Sequence, residues 1–211
     1  MKRKDYPKRL IGLLFGLFLY AVGIVMTVNA EIGYAPWEVF HKGIANVTIF
    51  SFGMASICVG LVLLLFDYLM GEAIGIGTIL NIILVGTFID IIMYFGLIPK
   101  PENLFFRLII FFLGFFVIAF ASYFYIKAGF GAGPRDSAMV ALHRKTNLPI
   151  GICRSGIEIT VTLLGYILGG PVGMGTVLSA LIAGFVIQTV FGFLNFDPKD
   201  ISHESILMRK N

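Results

Sequence analysis

The sequence predicts an all-α transmembrane protein whose six spans form two inverted three-helix repeats, each with a short broken or interfacial helix. Three observations lead to this fold class: the composition, six long apolar runs, and motifs that recur at one fixed spacing. Of the 211 residues, 58% are hydrophobic and 13% are charged, and the mean hydropathy is +0.93. Soluble domains carry about 25% charged residues. The composition therefore places the chain in a lipid bilayer.

Six apolar runs approach the length of about 20 helical residues that a hydrocarbon core of about 30 Å requires. They lie at Leu10–Val28, Phe52–Met70, Thr78–Ile98, Leu108–Ile126, Ile152–Leu168 and Thr176–Phe196. The first run is too long for the apolar core of a signal peptide, and it has a counterpart in the second half of the chain. We therefore expect it to be an uncleaved first span.

The two halves of the chain carry the same motifs in the same register. Glycine, proline, acidic and threonine positions of the first half recur 98 positions later. The register pairs Gly33 with Gly131, Pro36 with Pro134, Glu38 with Asp136, Gly77 with Gly175, and Thr78 with Thr176. Each half holds three spans, an odd number, so the second half must cross the membrane in the opposite sense. The predicted units are a first repeat at 1–98, a linker at 99–106, a second repeat at 107–196 and a tail at 197–211.

The distribution of lysine and arginine predicts that both termini lie in the cytoplasm. With the N-terminus inside, most basic residues fall on cytoplasmic segments, beginning with the run Lys2–Lys4. Lys42, Lys100 and Arg107 are the exceptions. Cytoplasmic loops of membrane proteins carry such an excess of positive charge. The two repeated proline motifs are then expected to face opposite sides of the membrane.

Pro36 and Pro134 each mark a helix start with an acidic residue in the first turn. Continuing these helices to about Val47 and Thr146 gives about 12 residues, or about 18 Å, which is too short to cross a bilayer. Two interpretations stay open. Each helix is a half-helix whose positive N-terminus points into a cavity, or an amphipathic helix at the membrane interface, anchored in the first copy by Trp37.

The cavity interpretation defines a set of candidate solute-binding residues at the two helix starts and at two GxGT turns. They are Gly33, Pro36, Glu38, Gly131, Gly133, Pro134, Arg135, Asp136, Gly77, Thr78, Gly175 and Thr176. Glycines at 131 and 133 favour this interpretation because they permit close backbone approach. Arg135 and the helix N-termini favour an anionic or zwitterionic solute. A tight turn between two spans is the competing explanation of each GxGT sequence.

Ionisable residues within the spans are candidates for proton coupling because a charge at membrane depth is costly. Asp90 lies in the third span, and its repeat counterpart is Gln188. Glu158 lies one helical turn from Arg154, which allows an i,i+4 ion pair. This pair is explained equally well as internal neutralisation of the helix. Asp67 is expected to reach the interface at the end of the second span.

No motif for catalysis or metal binding is found in the sequence. HExxH, GxSxG and P-loop patterns are absent. Cys58 and Cys153 show no ligand or disulfide spacing, and His41, His143 and His203 are expected to be solvated. The basic residues lie at the ends of apolar runs rather than in a patch, which argues against nucleic acid. The sequence therefore predicts neither an enzyme nor a bound cofactor or metal.

Three stretches of the second half form a recognisable combination. They are the Gly-x-Gly-Pro-x-Asp motif at 131–136, the sequence Ala-Leu-His-Arg at 141–144, and the glycine-rich stretch at 169–176. The combination resembles the YczE/YyaS/YitT family of bacterial membrane proteins, and the likeness extends over about 9–196. This resemblance implies a multi-pass protein of the bacterial cytoplasmic membrane and leaves the activity open.

These features together predict a secondary transporter of a small anionic or zwitterionic solute, with protons as the expected coupling ion. The alternative is a non-transporting membrane partner that stabilises or regulates another protein, in which the glycines serve close helix packing. An intramembrane enzyme is a third interpretation, which no motif supports. The expected partners are the lipid bilayer, the solute and a second copy of the chain in a homodimer.

Overall fold

The computed structural model describes residues 6–201 and 203–206. This part of the chain is all-α and contains eight α-helices. They are α1 (Tyr6–Asn29), α2 (Pro36–Val47), α3 (Phe52–Leu69), α4 (Ile76–Tyr94), α5 (Leu104–Ala128), α6 (Pro134–Thr146), α7 (Ile150–Ile167) and α8 (Met174–Phe193). The basic run Lys2–Lys4, on which the predicted orientation partly rests, lies outside the described residues.

Six of these helices are long and apolar enough to cross a membrane: α1, α3, α4, α5, α7 and α8. The prediction of an all-α protein with six spans is therefore confirmed, and the lipid bilayer is its surroundings. The short helices α2 and α6 begin at Pro36 and Pro134, as their proline and acidic residues predict. Each short helix follows a long first span of its half of the chain.

Helices α1 and α5 form the centre of the bundle and pack on each other more extensively than any other pair. Small residues allow their backbones to approach closely. A Cβ atom on Gly16 would lie 2.9 Å from the backbone nitrogen of Tyr125, and one on Gly23 would lie 2.9 Å from the carbonyl oxygen of Gly114. Around this pair, α4 packs on α1, α8 on α5, α3 on α4 and α6, and α2 on α7.

One end of the bundle brings together the start of α1, the end of α5 and the tail. Nη1 of Arg9 lies 2.6 Å from Oε1 of Glu204. The backbone N–H of Glu204 donates to the carbonyl of Gly129 at 2.8 Å, and that of Ile206 donates to the carbonyl of Ile74, also at 2.8 Å. The tail is thus held against the segments that precede α4 and α6.

The opposite end brings together the end of α1 and the linker between the halves. Nδ2 of Asn29 donates to the carbonyl of Ile98 at 2.8 Å. Glu31 forms ion pairs with Lys100 at 3.3 Å and with Arg107 at 3.5 Å. Two of the three basic residues that the sequence excludes from the cytoplasmic side therefore lie at the end of the bundle opposite Arg9. Which end faces the cytoplasm stays a prediction.

Candidate functional site

The GxGT turn of each half of the chain is joined to the other half by a backbone hydrogen bond. The N–H of Gly77 donates to the carbonyl of Phe130, and the N–H of Gly175 donates to the carbonyl of Ile32, each at 2.7 Å. Both acceptors belong to the extended segments that lead into the short helices. The GxGT turn of one half therefore fixes the entry of the short helix of the other half.

Glycine is required at positions 33 and 131, next to these hydrogen bonds, because of the backbone conformation and because a side chain would not fit. Their φ angles are +113° and +122°, in a region that residues with a Cβ atom rarely adopt. A Cβ atom on Gly33 would lie 2.7 Å from the Cα of Gly173, and one on Gly131 would lie 2.6 Å from Oγ1 of Thr78. These two repeated glycines therefore mark close contacts between the halves.

Each threonine of a GxGT turn caps its own helix, and Thr78 also bonds the other half of the chain. Oγ1 of Thr78 donates to the carbonyl of Ala132 at 2.7 Å and accepts from the N–H of Gly75 at 3.3 Å. Oγ1 of Thr176 accepts from the N–H of Gly173 at 3.1 Å. Neither threonine lines the two polar cavities that lie at the starts of α2 and α6. Their contacts are those of helix capping at a turn.

The starts of α2 and α6 meet inside the bundle. Pro36, Glu38 and Pro134 are all buried. Nη1 of Arg135 lies 3.3 Å from Oε1 of Glu38, and Cζ of Arg135 lies 4.9 Å from the ring centroid of Trp37. The side chain of Glu38 is only 7% exposed, so Arg135 supplies the opposite charge that a buried carboxylate needs.

A cavity of about 90 Å³, called cavity one, lies beside the start of α6. The polar side chains of its walls include those of Tyr20, His41, Asn81, Ser122, Tyr125 and Asp136. His41 and Tyr125 are buried, and neither Nε2 of the histidine nor the tyrosine hydroxyl has a hydrogen-bond partner among the described residues. Such unpaired atoms beside a cavity are groups that a bound solute can satisfy.

Two titratable groups at cavity one, His41 of α2 and Asp136 of α6, have shifted pKa values. Burial lowers the pKa of His41 well below its usual value, and the positive charge of Arg135 adds to this effect. The imidazole ring is therefore neutral at pH 7. Asp136 faces the open space of the cavity but lies deep between helices, and this burial raises its pKa, against the opposing effects of Arg154 and Arg135.

A second cavity of about 110 Å³, called cavity two, lies beside the start of α2. Its charged side chains include Glu38, Arg135, Arg154 and Glu158. Nε of Arg154 donates to Oε1 of Glu158 at 2.8 Å. Arg135 and Tyr20 line both cavities. The Arg135–Glu38 ion pair therefore stands at the boundary between the two cavities.

Comparison with known protein families shows to which family the chain belongs. The family of unknown function DUF6198 matches residues 7–191. The chain belongs to the DUF6198 family. An uncharacterized protein of Haemophilus influenzae is 38% identical, over 83% of this chain and 80% of its own length. The uncharacterized membrane protein YczE of Bacillus subtilis is 33% identical, over 82% of this chain and 80% of its own length.

The uncharacterized protein YyaS of Bacillus subtilis is a more distant relative, at 22% identity over 82% of this chain and 87% of its own length. The resemblance to the YczE and YyaS proteins that the sequence motifs indicate is therefore confirmed. No solved structure matches the chain. This DUF6198 family member is thus a multi-pass membrane protein with bacterial relatives.

In this DUF6198 family member, Asp90 lies apart from both cavities and caps helix α3. Its Oδ1 accepts from the backbone N–H of Gly53 at 2.8 Å, and its Oδ2 accepts from the hydroxyl of Ser51. Its repeat counterpart, Gln188, lies on the exposed face of α8. Of the four predicted intramembrane polar residues, Arg154 and Glu158 line cavity two. Asp90 and Gln188 line neither cavity.

Replacing Asp90 by alanine is expected to lower the free energy of unfolding by roughly 1–3 kcal/mol, because the N–H of Gly53 loses its partner. Asp90→Asn should be milder, since an amide oxygen can still accept that hydrogen bond. Thr87→Ala is the matched control, because the Thr87 hydroxyl bonds only the carbonyl of Ile83 in its own helix. Thermal unfolding in detergent measures all three variants. Equal stability of the alanine variants at 90 and 87 would contradict the capping role.

Two expectations about ionisable residues are wrong. Asp67 does not reach an interface: it is 1% exposed, in the last turn of α3. His41 is not solvated, and it is also 1% exposed. Both lie against the short helices: α3 packs on α6, and His41 belongs to α2 itself. The start of α2 is buried, whereas Asn46 and Val47 at its end are exposed. The half-helix and the interfacial interpretation of α2 therefore both stay predictions.

Sequence reasoning missed several cavity residues, among them Tyr20, Asn81, Ser122 and Tyr125. They are uncharged polar side chains within apolar runs, where a charged side chain is the clearer signal of a functional site. The amide Asn81 was the strongest signal available, because an amide within a span must find a hydrogen-bond partner. Tyrosines gave no signal, since they also occur at membrane interfaces without any binding role.

Proposed function

We propose that this DUF6198 family member is a secondary transporter of a small anionic or zwitterionic solute that binds beside Arg135. The observation that carries the proposal is the meeting of two buried helix starts at an arginine lined by two polar cavities. Helix starts carry free N–H groups and partial positive charge, which favour anions. Broken helices that meet inside a bundle form the binding sites of many secondary transporters.

The relation between the two cavities supports an inverted repeat. Cavity one is lined by 133–136 and cavity two by 35–38, which correspond at the 98-residue spacing. The same spacing relates Asn81 of cavity one to Ser179 of cavity two. It also relates the two hydrogen bonds of the GxGT turns to each other. In the proposed arrangement, α2 and α6 are half-helices that enter the membrane from opposite sides.

Alternating access in this arrangement is a movement of one repeat against the other. Arg135, Glu38 and Trp37 form the partition between the cavities. Rocking of the repeats enlarges one cavity and closes the other around a fixed binding site, as in other inverted-repeat transporters. A solute anion that pairs with Arg135 competes with Glu38 and thereby opens the partition.

The chemistry of cavity one supports the proposed class of solute. Arg135 provides a positive charge for a carboxylate or phosphate group. Asp136 provides an acceptor for an ammonium group, which suits a zwitterion. The neutral ring of His41 and the hydroxyl of Tyr125 add hydrogen-bonding groups that lack a partner among the described residues. A cavity of about 90 Å³ restricts the solute to a small molecule.

Proton coupling through the carboxylates predicted from the sequence is weakly supported. Glu158 is already paired with Arg154 at 2.8 Å, and Asp90 accepts hydrogen bonds from Ser51 and Gly53. Both carboxylates thus already have partners within the fold. A carboxyl group that couples transport to protons is therefore expected at another position.

The alternative function, a membrane partner that packs through its glycines, has less support. Gly23 and Gly114 serve the contact between α1 and α5, and Gly43 and Gly165 serve that between α2 and α7. These close contacts lie within the chain and leave the polar cavities unexplained. The transport proposal accounts for both features.

A binding screen tests the proposal directly. Trp37 is the single tryptophan of the chain and stacks on Arg135, so its fluorescence reports on the site. We expect at least one member of a panel of amino acids, small carboxylates, phosphate and sulfate to change Trp37 emission and to raise the unfolding temperature. Uptake of that solute into proteoliposomes should follow. Failure of every member in both assays would contradict the proposal.

A further inference from the structure

We infer that Asp67 is a proton-binding site, which holds its carboxyl group in the protonated form and exchanges that proton when α6 moves. The coupling part of this inference rests on the proposed transport function. The occupancy of the site by a proton does not. The ligand is a single proton, taken from water at the end of the bundle where α3 ends and held on a carboxylate oxygen of Asp67.

The surroundings of Asp67 give a carboxylate no stabilisation. The residue is 1% exposed, and neither Oδ1 nor Oδ2 has a hydrogen-bond partner among the described residues. An ionised carboxylate without water, donors or a cation is so unfavourable that the group takes up a proton instead. Burial and the missing partners therefore both favour the neutral acid.

Three other carboxylates of the described chain have the partners that Asp67 lacks. Glu38 is paired with Arg135, and Glu158 with Arg154. Asp90 accepts from a hydroxyl and a backbone N–H at the start of α3. In each case a donor or a cation lies at the carboxylate oxygens. Asp67 differs from them in environment although it has the same chemistry.

The charged residues around Asp67 on neighbouring segments are acidic. They are Glu72, on the segment that follows α3, and Asp136, in the first turn of α6. Glu72 is paired with Arg144 of α6, at 3.1 Å. Among the described ion pairs, Arg144 therefore belongs to Glu72 and none belongs to Asp67.

Loss of the proton would favour a different arrangement of α3 and α6. These helices pack on each other, and a newly formed anion at their contact can be stabilised only if water or a cation reaches it. Separation of the helices provides that access. Because α6 begins at cavity one with Pro134, Arg135 and Asp136, such a movement would change the proposed binding site. The proton on Asp67 thus links the acidity of the solvent to the shape of the cavity.

Infrared spectroscopy of the purified full-length protein tests proton occupancy without any solute. Protonated carboxyl groups give a C=O stretching band that carboxylates lack, and carbon-13 labelling of aspartate shifts the bands that belong to aspartic acids. At neutral pH we expect a labelled band that disappears in Asp67→Asn. Asp90→Asn is the matched control and should leave this band unchanged. Absence of the band in the wild type, or its persistence in Asp67→Asn, would overturn the inference.

A second variant keeps the test decisive if Asp67→Asn fails to fold. Asp136→Asn removes the other aspartic acid near the site, so the band of Asp67 should remain in its spectrum. Loss of all labelled carboxylic acid bands in Asp136→Asn would assign the proton to Asp136 and refute the inference for Asp67.

The coupling part has its own measurement, which uses the fluorescence of Trp37. In the wild type, emission should change as the pH rises through the titration of the infrared band, and in Asp67→Asn this change should be lost. An unaltered pH profile in Asp67→Asn would refute the coupling. The infrared result separates this inference from the transport proposal. A band from Asp67 without any solute that binds would support the proton site and contradict the transport proposal. A bound solute without this band would refute the proton site and leave the transport proposal intact.

Discussion

Replacing Arg135 by glutamine is expected to weaken solute binding by at least about 30-fold. Arg135 is the positive charge between the two cavities, and loss of one member of a charged, hydrogen-bonded pair costs about 2–5 kcal/mol. The variant also leaves Glu38 without its partner, and the side chain of Glu38 is 7% exposed. Titration of Trp37 fluorescence with the solute found in the screen measures the effect on binding.

The loss of binding must be separated from a loss of folding. Arg135→Gln should lower the free energy of unfolding by roughly 2 kcal/mol, below the 3–5 kcal/mol of a fully buried pair, because Arg135 is 26% exposed. The double variant Glu38→Gln with Arg135→Gln contains no unpaired charge, so its stability should recover while its binding should not. Solute binding of wild-type strength in the double variant would show that Arg135 does not hold the solute.

Replacing Gly75 by alanine is expected to prevent normal folding or to destabilise the protein by at least about 3 kcal/mol. A Cβ atom at this position would lie 1.9 Å from the carbonyl oxygen of Phe130 and 2.7 Å from the Cα of Gly131. Both obstacles are backbone atoms, which cannot rotate away. A shift of the backbone that makes room for this Cβ atom would also break the hydrogen bond from Gly77 to Phe130. Yield of monodisperse protein and its unfolding temperature measure the damage.

Two further glycines provide graded controls for Gly75→Ala. A Cβ atom on Gly173, the repeat counterpart, would lie 2.7 Å from the carbonyl oxygen of Ile32, so Gly173→Ala should be damaging but less so. A Cβ atom on Gly184 meets nothing within 4 Å, and alanine there should be neutral or stabilising by about 0.5–1 kcal/mol. Equal unfolding temperatures for the variants at 75 and 184 would contradict the close contact between Gly75 and Phe130.

The helices could be predicted from the sequence because each rests on a local pattern. Apolar runs of spanning length define six helices, and Pro36 and Pro134 define the starts of the two short ones. These signals do not depend on the rest of the fold. The crossed hydrogen bonds from Gly77 and Gly175 could not be predicted in this way. They join segments far apart in the chain, and the repeat itself says only that the halves are similar, not which parts touch.

The cavity residues were partly predictable. Arg135 and Asp136 stand out because charge is rare in this chain, and the structure sets them beside cavities one and two. His41 and Tyr125 do not stand out, because a polar residue on a short helix or in a span is equally compatible with water or the lipid interface. The expectation for Asp67 is wrong for a related reason. Its position near the end of an apolar run suggests access to water, but α6 packs against α3 and Asp67 is buried.

The contact between Trp37 and Arg135 has a consequence for the origin of the protein. These residues occupy the same position in the two halves, so in the proposed inverted repeat each lies beside its own counterpart, on the symmetry axis. In an ancestral pair of identical subunits, this position would face itself, and an arginine would meet an arginine. Gene duplication and fusion release that constraint. Only after fusion can one copy supply a cation and the other the aromatic surface that attracts it.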